Sequence, residues 1–206
     1  MPWEKNPNIC KRCITGLAGY EVSGAEVDIS LLFADVRKSS ELARSLGTME
    51  FTRLMQRFYA VATKVLIGNE AILDKFVGDE VVAFFIPFMT GSEHGRKAID
   101  AARALLEATG HGEADGPWLP LGAAVHSGDA FVGLVSSGDA SDFTALGDTV
   151  NVAAHLAAQA GAGEILLSDA TAQMVGMADQ GLERRHLSLK GHPVDALVLS
   201  LATTLS

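Results

Sequence analysis

The stretch AILDKFVGDEVVAFFIPF, residues 71–88, is the part of the chain from which we predict the fold. Two runs rich in strand-forming residues flank the sequence VGDE at residues 77–80. Glycine and aspartate provide the backbone freedom that a tight reversal needs, so the stretch predicts a β-hairpin with Asp79 at its tip. A hairpin pairs neighbouring strands in opposite directions, and we therefore expect an antiparallel central sheet.

The segments on either side of this hairpin alternate between strands and helices. The apolar run DISLLFADV, residues 28–36, predicts a buried strand that ends at Asp35. Two helical patterns follow at 39–46 and 48–67, and the second is long and amphipathic. After the hairpin we expect, in order, a helix at 95–108, strands at 121–127 and 130–135 separated by Gly128-Asp129, a helix at 148–159, a strand at 164–168, a helix at 169–177, and strands at 182–189 and 195–201. This order indicates an α+β fold in which helices cover one face of the sheet.

Composition and charge limit the functions open to the chain. Its 206 residues carry 16 Lys and Arg against 25 Asp and Glu, a formal charge of −9. Such a charge argues against nonspecific binding to nucleic acid or to anionic membranes. The longest stretch without a charged residue, Thr149 to Gly163, is too short for a membrane span. The N-terminal sequence MPWEKNPNICKRC lacks the apolar core of a secretory signal, so we expect a cytoplasmic protein with reduced thiols.

Two aspartates are the first candidates for chemistry. Asp35 ends a predicted strand and Asp79 lies at the tip of the hairpin, so an antiparallel sheet could place both carboxylates side by side at its edge. Mg²⁺ takes hard oxygen ligands and commonly binds one or two carboxylates together with substrate phosphates. Each aspartate alone would also fit a capping or turn residue, and the spacing does not decide between these roles.

Five motifs occur together along the chain: FADVRKSSELA, DKFVGDE, AAVHSGDAFVG, FTALGDTVNVAAHLA and LKG. Their order and spacing resemble the catalytic domain of class III adenylate and guanylate cyclases over roughly residues 26–201. The resemblance implies a ferredoxin-like βαββαβ antiparallel sheet with added helices and strands. It also implies a head-to-tail homodimer that binds a nucleoside triphosphate at its interface. We therefore expect a cyclase catalytic domain at 26–206. Residues 1–25 carry both cysteines and show no sustained periodicity, so we expect them to form an N-terminal CxxC arm.

The resemblance assigns metal binding to Asp35, Asp79 and the backbone carbonyl of Val36. Two Mg²⁺ or Mn²⁺ ions per site would lower the pKa of the ribose 3′-hydroxyl and neutralise the leaving pyrophosphate. Lys75 matches the residue that donates to adenine N1, and Thr144 matches its partner, which accepts from the exocyclic amine. These two positions favour ATP, so we expect an adenylate cyclase that forms cyclic AMP. A threonine hydroxyl can donate or accept, and it is expected to reject guanine less firmly than a carboxylate would.

Three further positions of the resemblance concern the ribose and the phosphates. Asn151 matches the asparagine that orients the ribose. His155 stands where the family has an arginine, and an imidazole is shorter and only partly charged at neutral pH. Lys190 keeps the family's lysine-glycine pair, whereas Asp129 and His192 replace phosphate-binding cations of some members. Weak or activator-dependent catalysis is therefore expected, and packing at the subunit interface is the other interpretation of His155.

Two questions stay open at the level of sequence. Cys10 and Cys13 form a single CxxC, whereas a tetrahedral Zn²⁺ site needs four ligands. Two arms that meet across a dimer could supply four sulfurs, and a redox-active dithiol or a pair of reduced, partly buried thiols are the other options. The alternative to an enzyme is a non-catalytic nucleotide-binding or dimerisation module with the same fold. A redox-gated regulatory protein is a third interpretation.

Overall fold

A computed structural model of the chain describes residues 1, 3, 7, 9–12, 23–137, 140–178, 180–189 and 192–201. The elements within these residues follow the expected alternation of strands and helices. They are, in chain order, β1 (Gly24–Val36), α1 (Ser39–Leu46), α2 (Thr48–Gly68), β2 (Ile72–Val77), β3 (Glu80–Phe85), α3 (Pro87–Thr90), a 3₁₀ turn (Gly91–Glu93), α4 (His94–Ala108), β4 (Leu121–Ser137), β5 (Ala140–Leu146), α5 (Asp148–Ala157), β6 (Glu164–Ser168), α6 (Asp169–Met174), β7 (Glu183–Leu189) and β8 (His192–Ser200).

The strands form one sheet in the order β2-β3-β1-β4-β6-β8-β7, and β5 pairs with β4 outside this path. The first four strands pair antiparallel throughout. Together with the helices that connect them, they form the expected ferredoxin-like βαββαβ core. The added strand β6 pairs with β4 in parallel, and β8 and β7 continue the sheet antiparallel. The predicted α+β fold class is therefore confirmed.

The predicted hairpin is present, with Val77 paired to Glu80 across the two-residue turn Gly78-Asp79. Gly78 has a φ of 63°, in the left-handed region that a residue without a Cβ adopts without strain. The register between β1 and β3 pairs Asp35 with Glu80. The end of β1 and the tip of the hairpin therefore meet at the same end of the sheet.

The prediction of two strands separated by Gly128-Asp129 is wrong, because β4 runs without interruption through both residues. Their backbones pair with Ile29 and Asp28 of β1, so the long partner strand keeps them extended. Gly128 has a packing role instead. A Cβ at this position would lie 3.3 Å from the Thr149 hydroxyl oxygen, so glycine lets helix α5 approach the sheet closely.

Apolar residues fill both faces of the sheet, in two separate clusters. Phe58 and Leu66 of α2 and Leu105 of α4 belong to the cluster on one face. Leu156 of α5 belongs to the second cluster, together with Ile29 of β1. The prediction that helices cover only one face is therefore wrong. Successive side chains of β1 point to opposite faces of the sheet. Helix α5 packs on the face opposite to α2 and α4, where its apolar side chains meet those of β1 that point to that face, such as Ile29.

Candidate active site

The first part of the candidate site is a cleft at the end of β1. Asp35, Val36 and Asp79 line this open cleft of about 340 Å³. The Val36 amide donates a hydrogen bond of 3.3 Å to the Asp79 carbonyl, which ties the end of β1 to the hairpin turn. The structure thus brings together the three residues that the sequence assigned to metal binding.

The two aspartates lie close enough to raise the cost of charging both. Burial is the largest cause that raises the pKa of Asp35, and Asp79 raises it further through its charge and through a hydrogen bond between the two side chains. The neighbouring Arg37 partly offsets both effects. Burial, Asp35 and Asp79 also raise the pKa of Glu80 to about 7. A divalent cation would relieve this repulsion between carboxylates.

Arg37 joins this cleft to helix α5. Its guanidinium forms an ion pair with the Asp35 carboxylate. The same guanidinium donates hydrogen bonds of 3.4 Å to the Ala157 carbonyl and 3.1 Å to the Ala160 carbonyl, at the C-terminal end of α5. A cation is favourable there because the last carbonyls of a helix lack intrahelical partners. Arg37 and Glu80 were not singled out from the sequence, because the register that places them beside Asp35 is not visible there.

Helix α2 supports the hairpin that carries Asp79. The Tyr59 hydroxyl donates a hydrogen bond to the Gly78 carbonyl. The Tyr59 ring also packs against Phe76, with 4.3 Å between the ring centroids. These contacts fix the turn against α2, so the position of Asp79 depends on α2 as well as on the strands.

The second part of the candidate site is a polar cluster between β2 and β5. Lys75 donates a hydrogen bond of 3.3 Å from Nζ to the Thr144 hydroxyl. The structure therefore brings together the two residues that the sequence assigned to base recognition. Asp74 completes the cluster, because its Oδ2 lies 3.1 Å from the Thr144 hydroxyl and 3.2 Å from Lys75 Nζ. Asp74 was not singled out from the sequence.

The third part lies on helix α5. Asn151 is exposed and His155 is half-buried, and they stand four residues apart on the same helix face. The Thr149 hydroxyl at the start of α5 donates to the Asp129 carbonyl, with 2.5 Å between the oxygens. Arg37 links the first part to the third, because its guanidinium donates hydrogen bonds to carbonyls at the end of α5.

Some residues singled out from the sequence fall outside the structural description. Lys190 and Cys13 lie outside the described residues, and so does the side chain of His192. Cys10 is exposed. Within the described part of the chain, no group of three or more His, Cys, Asp or Glu side chains is gathered in a way that could hold a metal ion. The structure therefore gives no support to Zn²⁺ at Cys10.

The residues of the first cleft nevertheless fit a hard divalent cation. Two carboxylates and a backbone carbonyl are the oxygen donors that Mg²⁺ and Mn²⁺ accept, with substrate phosphates and waters completing the coordination. The charge of Asp79 raises the pKa of Asp35 even with Arg37 beside it, so a further cation between the two carboxylates would be favourable. Asp35, Asp79 and the Val36 carbonyl are the groups that would hold such ions.

This fold, with paired carboxylates at the end of β1 and a lysine-threonine pair between β2 and β5, defines the class of nucleotidyl cyclases. Sequence comparison gives the family. The family model described as "Adenylate and Guanylate cyclase catalytic domain" matches residues 22–200, and the chain belongs to this family.

Relatives with curated sequences include proteins from Anabaena cylindrica and Mycobacterium tuberculosis. The adenylate cyclase of Anabaena cylindrica is 25% identical over 151 residues, which cover 68% of this chain and 29% of that protein. The uncharacterized protein Rv1318c of Mycobacterium tuberculosis is 27% identical over 180 residues, which cover 84% of this chain and 32% of that protein. The chain thus spans about a third of the length of these relatives.

Solved structures show the same architecture. The adenylyl cyclase CyaB from P. aeruginosa superposes with a TM-score of 0.74 at 25% identity, covering 86% of this chain and 96% of that one. The guanylyl cyclase Cya2 superposes with a TM-score of 0.72 at 19% identity, covering 89% and 98%. The second match shows a shared fold alone. Helices of the described residues are all too short or too polar to cross a membrane.

Proposed function

We propose that this domain is an adenylate cyclase that converts ATP to 3′,5′-cyclic AMP and pyrophosphate with two Mg²⁺ or Mn²⁺ ions per site at a homodimer interface. The observation that carries the proposal is the convergence of Asp35 and Asp79, together with Val36, in one open cleft. In the reaction, the ribose 3′-oxygen forms a bond to the α-phosphorus, and the bond from that phosphorus to the bridging oxygen of pyrophosphate breaks. Bound ions would activate the 3′-hydroxyl and stabilise the leaving group.

The residues of the chain position the nucleotide for this step. Lys75 donates to adenine N1 and Thr144 accepts from the exocyclic amine. Asn151 orients the ribose, so that the 3′-oxygen is in line for attack. His155 lies where positive charge would stabilise the phosphates, and Lys190 adds a cation near the end of the chain. Because His155 stands where the family has an arginine, turnover is expected to be slow or to depend on an activator.

Two exposed cations reduce the deficit of positive charge at the phosphates. Lys38 and Arg44 line the same cleft as Asp35 and Asp79. Both lie on the segment that follows β1, where a triphosphate held by metal ions at the aspartates would extend. Replacement of either cation by alanine should raise the KM for ATP several-fold and leave the fold intact.

A homodimer is part of the proposal because one chain leaves apolar side chains exposed beside the cleft of Asp79 and beside the polar cluster of Lys75 and Thr144. Val77 is 55% exposed next to the hairpin turn, and Leu146 is 48% exposed two residues after Thr144. A second chain that packed against these side chains would remove their apolar surface from water. Sedimentation analysis of the full chain should show a dimer, and Val77→Glu should shift it toward monomer.

The direct test is the formation of cyclic AMP from ATP with Mn²⁺ by the purified chain. Asp35→Asn and Asp79→Asn should each reduce the rate by at least about 10³-fold, because each removes a negative ligand of the ions. Asp115→Asn, on an exposed loop, is the matched control and should keep the full rate. A product yield that survives both site substitutions would contradict the proposal.

The second candidate is a nucleotide-binding module without turnover. The pairing of Arg37 with Asp35 favours it, since a fixed guanidinium competes with a metal ion for the same carboxylate. This candidate predicts saturable ATP binding without cyclic AMP at high enzyme concentration. In that case Arg37→Ala should strengthen Mn²⁺ binding without producing turnover.

A further inference from the structure

Asp74 is a buried carboxylate for which the metal and base assignments give no role. It lies in β2, and its side chain is only 4% exposed. The register of β2 against β3 shifts between Leu73 and Lys75, and such an irregularity lets two successive side chains point to the same side. Asp74 and Lys75 therefore both reach Thr144 of β5.

The hydrogen bonds of this cluster determine which way the Thr144 hydroxyl points. An ionised carboxylate only accepts, an ammonium only donates, and a hydroxyl has one proton and two lone pairs. The Thr144 hydroxyl therefore gives its proton to Asp74 Oδ2, at 3.1 Å, and accepts from Lys75 Nζ, at 3.3 Å. The Ala145 carbonyl, at 3.4 Å, is a more distant second acceptor for the same proton. One lone pair of the hydroxyl stays available for a ligand.

The other oxygen of the Asp74 carboxylate strengthens the preference of the Thr144 hydroxyl to act as an acceptor toward a ligand. Asp74 Oδ1 is buried and has no hydrogen-bond partner among the described residues. Burial of a carboxylate is costly unless its oxygens are paired, so one unpaired oxygen points to a function of the residue beyond packing. Its negative potential beside Thr144 opposes any ligand atom that is itself an acceptor.

We propose that Asp74 is a specificity-determining positioning residue, which holds the Thr144 hydroxyl as an acceptor and so selects adenine over guanine. The proposal rests on the adenylate cyclase function proposed above. Adenine offers an amine donor to Thr144 and the N1 acceptor to Lys75. Guanine presents O6 and N1–H at the same places, so an acceptor would face Thr144 and a donor would face Lys75. With Asp74 in place, threonine discriminates as a carboxylate would, more firmly than the sequence alone suggested.

The test compares kcat/KM for ATP and for GTP, with Mn²⁺ and the full chain, in four proteins. These are the wild type, Asp74→Asn, Thr144→Val and the double variant. Asparagine has the same shape as aspartate, but its amide can donate to Thr144 and so release the threonine proton toward the base. Asp74→Asn should lower the ATP/GTP ratio by about 10-fold or more, mainly through a gain with GTP. Asp115→Asn is the control and should leave the ratio unchanged.

The double variant separates positioning from general damage to the fold. If Asp74 acts through Thr144, the double variant should have the ATP/GTP ratio of Thr144→Val alone. Asp74→Ser, which keeps a small polar side chain, replaces Asp74→Asn if the latter does not fold. Equal losses with both nucleotides, or additive changes of the ratio in the double variant, would overturn the proposal.

The results expected if the adenylate cyclase proposal fails differ from those expected if only the role of Asp74 fails. If the wild type turns over neither nucleotide, equilibrium binding of ATP and GTP is measured instead. The ratio of ATP affinity to GTP affinity should then be lower in Asp74→Asn than in the wild type. Binding of ATP that is preferred by the wild type and not by Asp74→Asn would support the role of Asp74 without catalysis. A wild type that binds neither nucleotide would overturn both proposals, whereas an active wild type with an unchanged ratio in Asp74→Asn would overturn this one alone.

Discussion

Replacement of His126 by asparagine should make the stability of the fold less sensitive to acid. His126 lies in β4, and its Nδ1 is 2.7 Å from the Ser168 hydroxyl at the start of α6. Burial lowers the pKa of His126 to about 4, and Asp148 only partly offsets this. The unfolded chain therefore takes up a proton on this residue at a higher pH than the folded chain does.

The sign and the size of the effect follow from this difference. A folded pKa below the unfolded value of about 6.5 means that stability is fully present above pH 6.5 and is lost as the pH falls toward 4. The folded and unfolded pKa values of His126 differ by about 2.5, which corresponds to about 3 kcal/mol of unfolding free energy. Between pH 7.5 and pH 5, His126 alone should lower the free energy of unfolding by about 2 kcal/mol.

Urea unfolding of the wild type and of His126→Asn at these two pH values measures the effect. The variant is expected to lose about 1 kcal/mol at pH 7.5, from the contact with Ser168, but to lose about 2 kcal/mol less than the wild type on acidification. Equal acid sensitivity in His126→Asn and the wild type would contradict a lowered pKa of His126 in the folded chain.

Three further substitutions test separate parts of the site. Lys38 has a φ of 57°, in the left-handed region, so Lys38→Gly should raise the free energy of unfolding by about 0.5 kcal/mol while weakening ATP binding. Tyr59→Phe should cost about 1 kcal/mol and raise the Mn²⁺ concentration for half-maximal activity, because the Gly78 carbonyl loses its donor. His155→Arg should raise the cyclisation rate by about 10-fold or more if this position faces phosphate. A lower rate in this variant would mean that His155 serves packing.

The parts of the fold that depend on local sequence could be predicted. The hairpin at 71–88 follows from Gly78-Asp79 between two apolar runs, and the strand Glu164–Ser168 has the predicted bounds. The break expected at Gly128-Asp129 is absent, because these residues pair with a distant strand and Gly128 accommodates Thr149. Pairing with residues about a hundred positions away in the sequence outweighs the local turn propensity of Gly128-Asp129. The neighbouring residues alone do not reveal such distant partners.

The candidate site was predictable where a motif carried it. Asp35 and Asp79 meet as expected, and Lys75 contacts Thr144. Asp74 was missed because its importance comes from a register shift and from a contact with β5, neither of which is visible in the order of residues. Arg37 and Glu80 were missed for the same reason, since only the pairing of β1 with β3 places Glu80 opposite Asp35.

In the proposed head-to-tail homodimer, we expect each nucleotide to lie between the metal-binding aspartates of one chain and the base-recognising residues of the second copy. Mixing two inactive variants tests this arrangement. Asp79→Asn lacks a metal ligand and Lys75→Ala lacks a base contact, so a mixed dimer would contain one site with both intact and one with neither. Cyclic AMP formation in the mixture should recover to about one quarter of the wild-type rate, since about half of the dimers are mixed and each has one intact site. A mixture that exchanges subunits and stays as inactive as its components would contradict the claim.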